Sequence, residues 1–314
     1  MKNSYSIFKT LPKHFNNVSM FEILRGATDV VLTDHNLKPD WITVPAEYTE
    51  FHIKRNKETL LVFIGESWAY GETVRGIATA TQQYNFEAQL VYTVGSRLAV
   101  MLDSDLYQYA VPGNCNFYMF SELERILKHT STMRYKKIYV CMQMTEPSRE
   151  NSISIKIKEK NHTLKNLLPP SEKISFNAWL EKYDDIFFDW YERIISQYNN
   201  LDCILWKNFC RINSKNTDRT FKIIDKTWIQ YSANCLGKQI AAPAFYTVGW
   251  LDNIMKDYHT VSFDKKTILS EIDIIEQSNA FIQTNVLHSN HPNEFGHLLW
   301  AQYLARKSGW NNDL

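Results

Sequence analysis

The feature that most limits this chain is a set of short apolar runs, each followed by a stretch of helical periodicity. The runs are TLLVFIG at 59–65, LYQYAVPGNCN at 106–116, KKIYVCMQM at 136–144 and LDCILWKNFCRI at 201–212. Runs of this length, apolar on both faces and closed by Gly, Pro or Asn, read as strands buried inside a sheet. Helical patterns lie between and after them: from Trp68, at 94–104, at 121–130, at 175–199, at 225–237 and at 296–309. Ser121 with Glu124 three residues on has the form of a capping box. KQIAAPAF at 238–245 supplies a candidate fifth strand. Strands alternating with helices predict a parallel sheet covered on both faces, a three-layer α/β/α domain.

Residues 1–57 lack this alternation and read as an N-terminal extension of short mixed pieces, with a candidate strand at Asp29–Thr33. The main domain then runs over 58–314, with an insertion at about 150–200 that begins polar and Lys-rich and ends in a long helix, the composition of a lid. Hydrophobic residues at 44 % and charged residues at 22 % are enough for a sizeable core and exclude a disordered chain. A formal net charge of +1 offers no electrostatic footprint for nucleic acid. No apolar stretch approaches the roughly 18 residues of a membrane span. The first residues lack the apolar core of a secretory leader. The expected location is therefore the cytosol, with release on lysis or carriage on a particle as the other routes. Cys115, Cys141, Cys203, Cys210 and Cys235 are odd in number and lack CxxC spacing, so free thiols are expected.

The chemistry is expected at two places far apart in sequence. The first is Gly65-Glu66-Ser67-Trp68-Ala69-Tyr70-Gly71, at a strand-to-helix junction. Ligands of α/β sheets bind beyond the carboxyl ends of the strands. A serine placed there lies beside the first amides of a helix, which favour a developing oxyanion. Taken alone, such a serine is more often a helix N-cap. The second is His288-Ser289-Asn290-His291-Pro292-Asn293-Glu294-Phe295-Gly296-His297, a loop ahead of the last helix. A neutral imidazole there is a base suited to activating a serine.

Together these segments resemble the first and last blocks of the SGNH/GDSL hydrolase superfamily, GDSxxxG and DxxHPNxxGH. Tyr109-Ala110-Val111-Pro112-Gly113-Asn114 is similar to the second block, and Gln143-Met144-Thr145-Glu146 stands where the family carries GxND. The resemblance covers about residues 59–304 and implies a parallel five-stranded sheet in flavodoxin-like order. It implies Ser67 as nucleophile, His291 as base, and an oxyanion hole from the amides of Ser67 and Gly113. Its third donor is an asparagine that this chain replaces with Thr145, leaving Gln143 or Asn114 to complete the hole. Aspartate of the first block is Glu66. The aspartate that orients the base in the family is His288 here, and a second histidine does not stabilise an imidazolium as a carboxylate does.

Three arrangements stay open. One is a Ser67–His291 dyad oriented by a carbonyl. Another is a carboxylate from elsewhere, with Glu294 and Glu66 as candidates. The third is a site that kept binding and lost hydrolysis. The GESWxYG and TEPxR forms resemble those carried by bacteriophages.

The implied reaction is hydrolysis of an ester through an acyl-enzyme, with no cofactor. Trp68 and Tyr70 beside the nucleophile are the expected substrate contacts, and Arg149 at the rim either binds substrate or pairs with Glu146 or Glu150. They lean towards a small acyl group, such as an O-acetyl on a carbohydrate. A non-catalytic glycan-binding or structural protein on the same scaffold is the alternative. His288, His291 and His297 also have the spacing of a loop zinc site. No cysteine lies near and proline follows one ligand directly, so no metal is expected.

Overall fold

The computed structural model describes residues 49–71, 91–147, 173–245, 261–262, 264–281 and 291–310, and the backbone alone of 4–5, 29–32, 282–285 and 287–288. Strands are β1 (Ser4–Tyr5), β2 (Asp29–Leu32), β3 (Glu50–Lys54), β4 (Thr59–Gly65), β5 (Asp105–Ala110), β6 (Lys137–Met144), β7 (Ile174–Ser175), β8 (Leu201–Lys207), β9 (Lys222–Ile223), β10 (Val261–Ser262), β11 (Leu287–His288) and β12 (His291–Pro292). Helices are α1 (Ser67–Tyr70), α2 (Val94–Met101), α3 (Asn116–Thr130), α4 (Phe176–Ile195), α5 (Trp228–Cys235), α6 (Lys265–Asn285) and α7 (Glu294–Ser308).

The main sheet runs β1-β2-β3-β5-β4-β6-β8-β9. It is mixed, which corrects the expectation of a wholly parallel five-stranded sheet. From β5 to β9 neighbouring strands are parallel, whereas β3, β2 and β1 add on antiparallel beyond β5. β3 comes from the segment expected to be an extension. Its charged ends hid it: Glu50 is buried because Tyr107 donates to its carboxylate at 2.5 Å and Arg125 pairs with it at 2.7 Å. KQIAAPAF is not a strand, and the edge beyond β8 is filled by β9 instead.

Side-chain alternation along β4 divides the core between two faces. Leu61 and Phe63 pack with α2, α5 and α7 on one side. Leu60, Val62 and Ile64 pack with α3 and α4 on the other. Each such side chain, fully withdrawn from water, contributes about 1.5–3 kcal/mol. In α4 the buried residues Phe176, Trp179, Leu180, Tyr183, Phe187, Tyr191 and Ile194 recur at helical spacing. The helix expected as part of a lid is thus a covering layer of the sheet, capped by Ser175, whose hydroxyl accepts from the Ala178 amide. Residues 148–172, the rest of that insertion, lie outside the described residues.

Two helix starts differ from expectation. α3 begins at Asn116, so Ser121 is an interior residue whose hydroxyl donates to the Phe117 carbonyl. A capping box is found instead at Thr227 and Gln230, opening α5. Among the described residues, no helix is long and apolar enough to cross a membrane.

Candidate active site

The parallel strands end nearly level. Gly65 pairs with Ala110, Gln143 with Trp206 and Met144 with Lys207. This register brings Ser67, the 111–114 turn, Gln143, Thr145 and Asn208 to one edge of the sheet. Gly65 is required there by close approach: a Cβ would lie 2.3 Å from Ala69 Cβ and 2.3 Å from Gln143 Oε1. Gly71, at φ 78°, then ends α1 after four residues.

Glu66 is the N-cap of α1 and is fully buried. Its Oε2 accepts from the Ser67 amide at 2.7 Å and from the Ser67 hydroxyl at 2.5 Å. Its Oε1 accepts from the Trp68 amide at 3.1 Å, Gln143 Nε2 at 2.8 Å and Asn208 Nδ2 at 2.9 Å. The Glu66 amide donates back to Gln143 Oε1 at 3.1 Å. The extra methylene of glutamate over aspartate lets the carboxylate fold back over the first turn. The consequence departs from the sequence expectation: the Ser67 amide, assigned to the oxyanion, is taken by Glu66. Gln143 is likewise committed to Glu66.

The remaining oxyanion candidates separate into two kinds. Thr145 donates its hydroxyl to Glu146 Oε2 at 2.6 Å, and its amide and carbonyl are both held by Asn116 at 2.7 and 3.0 Å. Val111-Pro112-Gly113-Asn114 forms a turn in which the Asn114 amide donates to the Val111 carbonyl at 3.1 Å, with Gly113 at φ 72°. Proline second and a left-handed glycine third are what a type II turn needs. The Val111 amide ties this turn to β4 through the Gly65 carbonyl, at 3.2 Å. Asn114 Oδ1 accepts from the Cys115 amide, while its buried Nδ2 lies towards the Tyr109 hydroxyl without a bond of good geometry.

The second motif closes onto the first. β12 carries His291, and its ring lies 6.4 Å from that of Trp68, the residue after Ser67. β11 pairs antiparallel with β12, with His288 opposite His291. The His288 side chain and all of Arg149 lie outside the described residues. Asn293 caps α7 by accepting from the Gly296 amide at 2.9 Å. Glu294, weighed as an orienting carboxylate, pairs with Arg97 at 3.2 Å. His297 is buried, and its Nδ1 accepts from the Val94 amide at 3.2 Å, fixing α7 to the start of α2. Burial above all, then the nearby Arg97 and His291, lower its pKa to about 3, so it stays neutral. Among the described residues, no group of three or more His, Cys, Asp or Glu side chains is placed to hold a metal ion.

Two expected substrate contacts are core residues. Trp68 and Tyr70 are 6 % and 4 % exposed, and Trp68 meets Trp228 edge-on at 5.5 Å. Asn208 is the site residue that pattern reading missed. Its signal was a polar Lys207-Asn208 pair ending an otherwise apolar strand.

No family model matches the sequence, and no curated protein matches it. Among solved structures, the chain is similar to a carbohydrate esterase family 2 enzyme with a carbohydrate-binding domain from Corynascus thermopiles (Myceliophthora fergusii). The identity is 12 % and the TM-score 0.35, covering 81 % of this chain and 68 % of that one. It is also similar to a catalytic mutant of an acetylxylan esterase from Geobacillus stearothermophilus, with 10 % identity and a TM-score of 0.33, covering 81 % of this chain and 97 % of that one.

Proposed function

We propose that this chain is a serine ester hydrolase acting on a small acyl group, an O-acetyl on a carbohydrate being the favoured substrate class. The observation that carries this reading is the meeting of two distant motifs. Ser67 stands at the carboxyl end of the central strand β4, and the strand bearing His291 packs beside it against Trp68.

In this reading the Ser67 hydroxyl leaves Glu66 when substrate enters, and His291 takes its proton as Oγ bonds the acyl carbon. The negative charge on the former carbonyl oxygen rests on the Gly113 amide, with Asn114 Nδ2 at the same turn as the second donor. Collapse expels the alcohol, protonated by His291, and water releases the acid by the same path in reverse.

A fluorophosphonate probe and p-nitrophenyl acetate test this directly. Ser67 should be labelled, Ser67→Ala should abolish both signals, and His291→Asn should lower both by about 10²-fold or more. A wild-type chain that is never labelled and turns over no ester would falsify the reading. The second reading, a non-catalytic glycan-binding or structural protein, is favoured by one observation: Glu66 occupies both the amide and the hydroxyl of Ser67. It predicts that null result.

A further inference from the structure

We propose that Asn208, at the end of β8, is a positioning residue for the Ser67 nucleophile, acting through Glu66. The inference rests on Ser67 being the reactive group. The two oxygens of Glu66 have separate partners. Oε2 accepts from the serine, through its amide and its hydroxyl. Oε1 serves the scaffold: Trp68 on α1, Gln143 on β6 and Asn208 beyond β8.

Five donors converge on one carboxylate, which has about four lone-pair sites to offer them. A carboxylate so held has one orientation, and the serine hydroxyl takes its direction from it. Gln143 is itself fixed at both ends, because its Oε1 accepts the Glu66 amide. Asn208 is fixed as well: its Oδ1 accepts from the Phe209 amide at 2.8 Å and its carbonyl accepts from the Ile229 amide at 3.2 Å. With that oxygen bound, the carboxamide can turn only its nitrogen towards Glu66. Three adjacent strand ends, β4, β6 and β8, are thereby bolted together around the nucleophile turn.

Asn208→Asp tests this in the full-length chain, because the new side chain keeps its shape and gains a titration. While it holds a proton it can still donate to Glu66. Once ionised it sets two carboxylates face to face, and Oε1 loses that partner. The expected result is a fluorophosphonate labelling rate at Ser67 close to wild type at about pH 5 that falls at least about tenfold below wild type by about pH 9. Asn208→Ala should be slower than wild type at every pH, without that added step.

A second readout needs no activity. Hydrogen-exchange protection of the Ser67 and Trp68 amides, relative to wild type at the same pH, should fall about tenfold over the same range. Gln143→Glu poses the same question from β6 if Asn208→Asp does not fold. Protection and labelling that track wild type throughout, with unchanged unfolding midpoints, overturn the proposal. A wild type that is never labelled overturns the hydrolase reading instead, and the exchange measurement still decides the role of Asn208.

Discussion

Gly65→Ala is the sharpest mechanical test of the turn that carries Ser67. The added Cβ would stand 2.3 Å from Ala69 Cβ, whereas carbon atoms in contact prefer about 3.5–4.0 Å. Ala69 Cβ is bonded directly to the backbone, so α1 itself must shift by about an ångström. Overpacking of this kind costs about 1–3 kcal/mol. The same Cβ would stand 2.3 Å from Gln143 Oε1, which accepts the Glu66 amide. Displacing Gln143 breaks that bond and loosens the one from Nε2 to the Glu66 carboxylate, a bond to a charged group worth about 1.5–3 kcal/mol. The sum is a destabilisation of about 2.5–6 kcal/mol. Urea unfolding measures it as a lower midpoint at unchanged slope. Adding Ala69→Gly should recover only the overpacking part, about 1–3 kcal/mol, because the clash with Gln143 persists. A Gly65→Ala chain within about 1 kcal/mol of wild type would refute the claim that this strand end is pressed against its neighbours.

Other perturbations follow from particular contacts. Lys207 and Asp184 form a buried ion pair at 2.8 Å, with side chains 1 % and 0 % exposed. Lys207→Met should therefore cost about 3–5 kcal/mol by stranding the carboxylate, and Lys207→Met with Asp184→Leu should regain most of it in the same unfolding assay. His52 and His297 are both held neutral in the folded chain, chiefly by burial, with pKa values lowered from 6.5 to about 3. The unfolded chain takes up those protons below about pH 6.5, so stability is full above that value and is lost as pH falls towards 3, by about 1.4 kcal/mol per unit for each histidine. A urea midpoint that does not move between about pH 7 and about pH 5 would count against this. Thr227→Ala removes a helix cap and should cost about 1 kcal/mol, whereas Ser121→Ala, inside α3, should stay within about 0.5 kcal/mol of wild type by thermal or urea melting.

What the sequence made legible was what is local in sequence. β4, β6, β8, α4 and α7 each carry their own periodicity, so each could be read without its neighbours. β3 could not, because Glu-Phe-His-Ile-Lys becomes a buried strand only once Tyr107 and Arg125 receive Glu50. β9 is two residues long and joins the sheet through β8, a pairing that short polar pieces do not announce. The two motifs that carry Ser67 and His291 are compact, and the structure brings β12 against the residue that follows Ser67. The hold on Ser67 was not legible. It depends on Gln143 and Asn208, which lie 77 and 142 residues beyond Glu66 and meet it only through strand register. Trp68 and Tyr70, expected as substrate contacts, are packed inside for a related reason: adjacency to Ser67 in sequence says nothing about which layer a side chain enters.

The indole of Trp68 has one further consequence. It touches Trp228 at 5.5 Å; Trp228 stacks on Trp300 at 5.6 Å, and Trp206 meets both at 5.7 and 5.5 Å. Four chromophores at such spacing exchange excitation energy and couple in the near ultraviolet. One end of that array is the residue bonded to Ser67. The protein thus carries its own optical reporter, in which a change of posture at the serine is read out by light absorbed up to two indoles away.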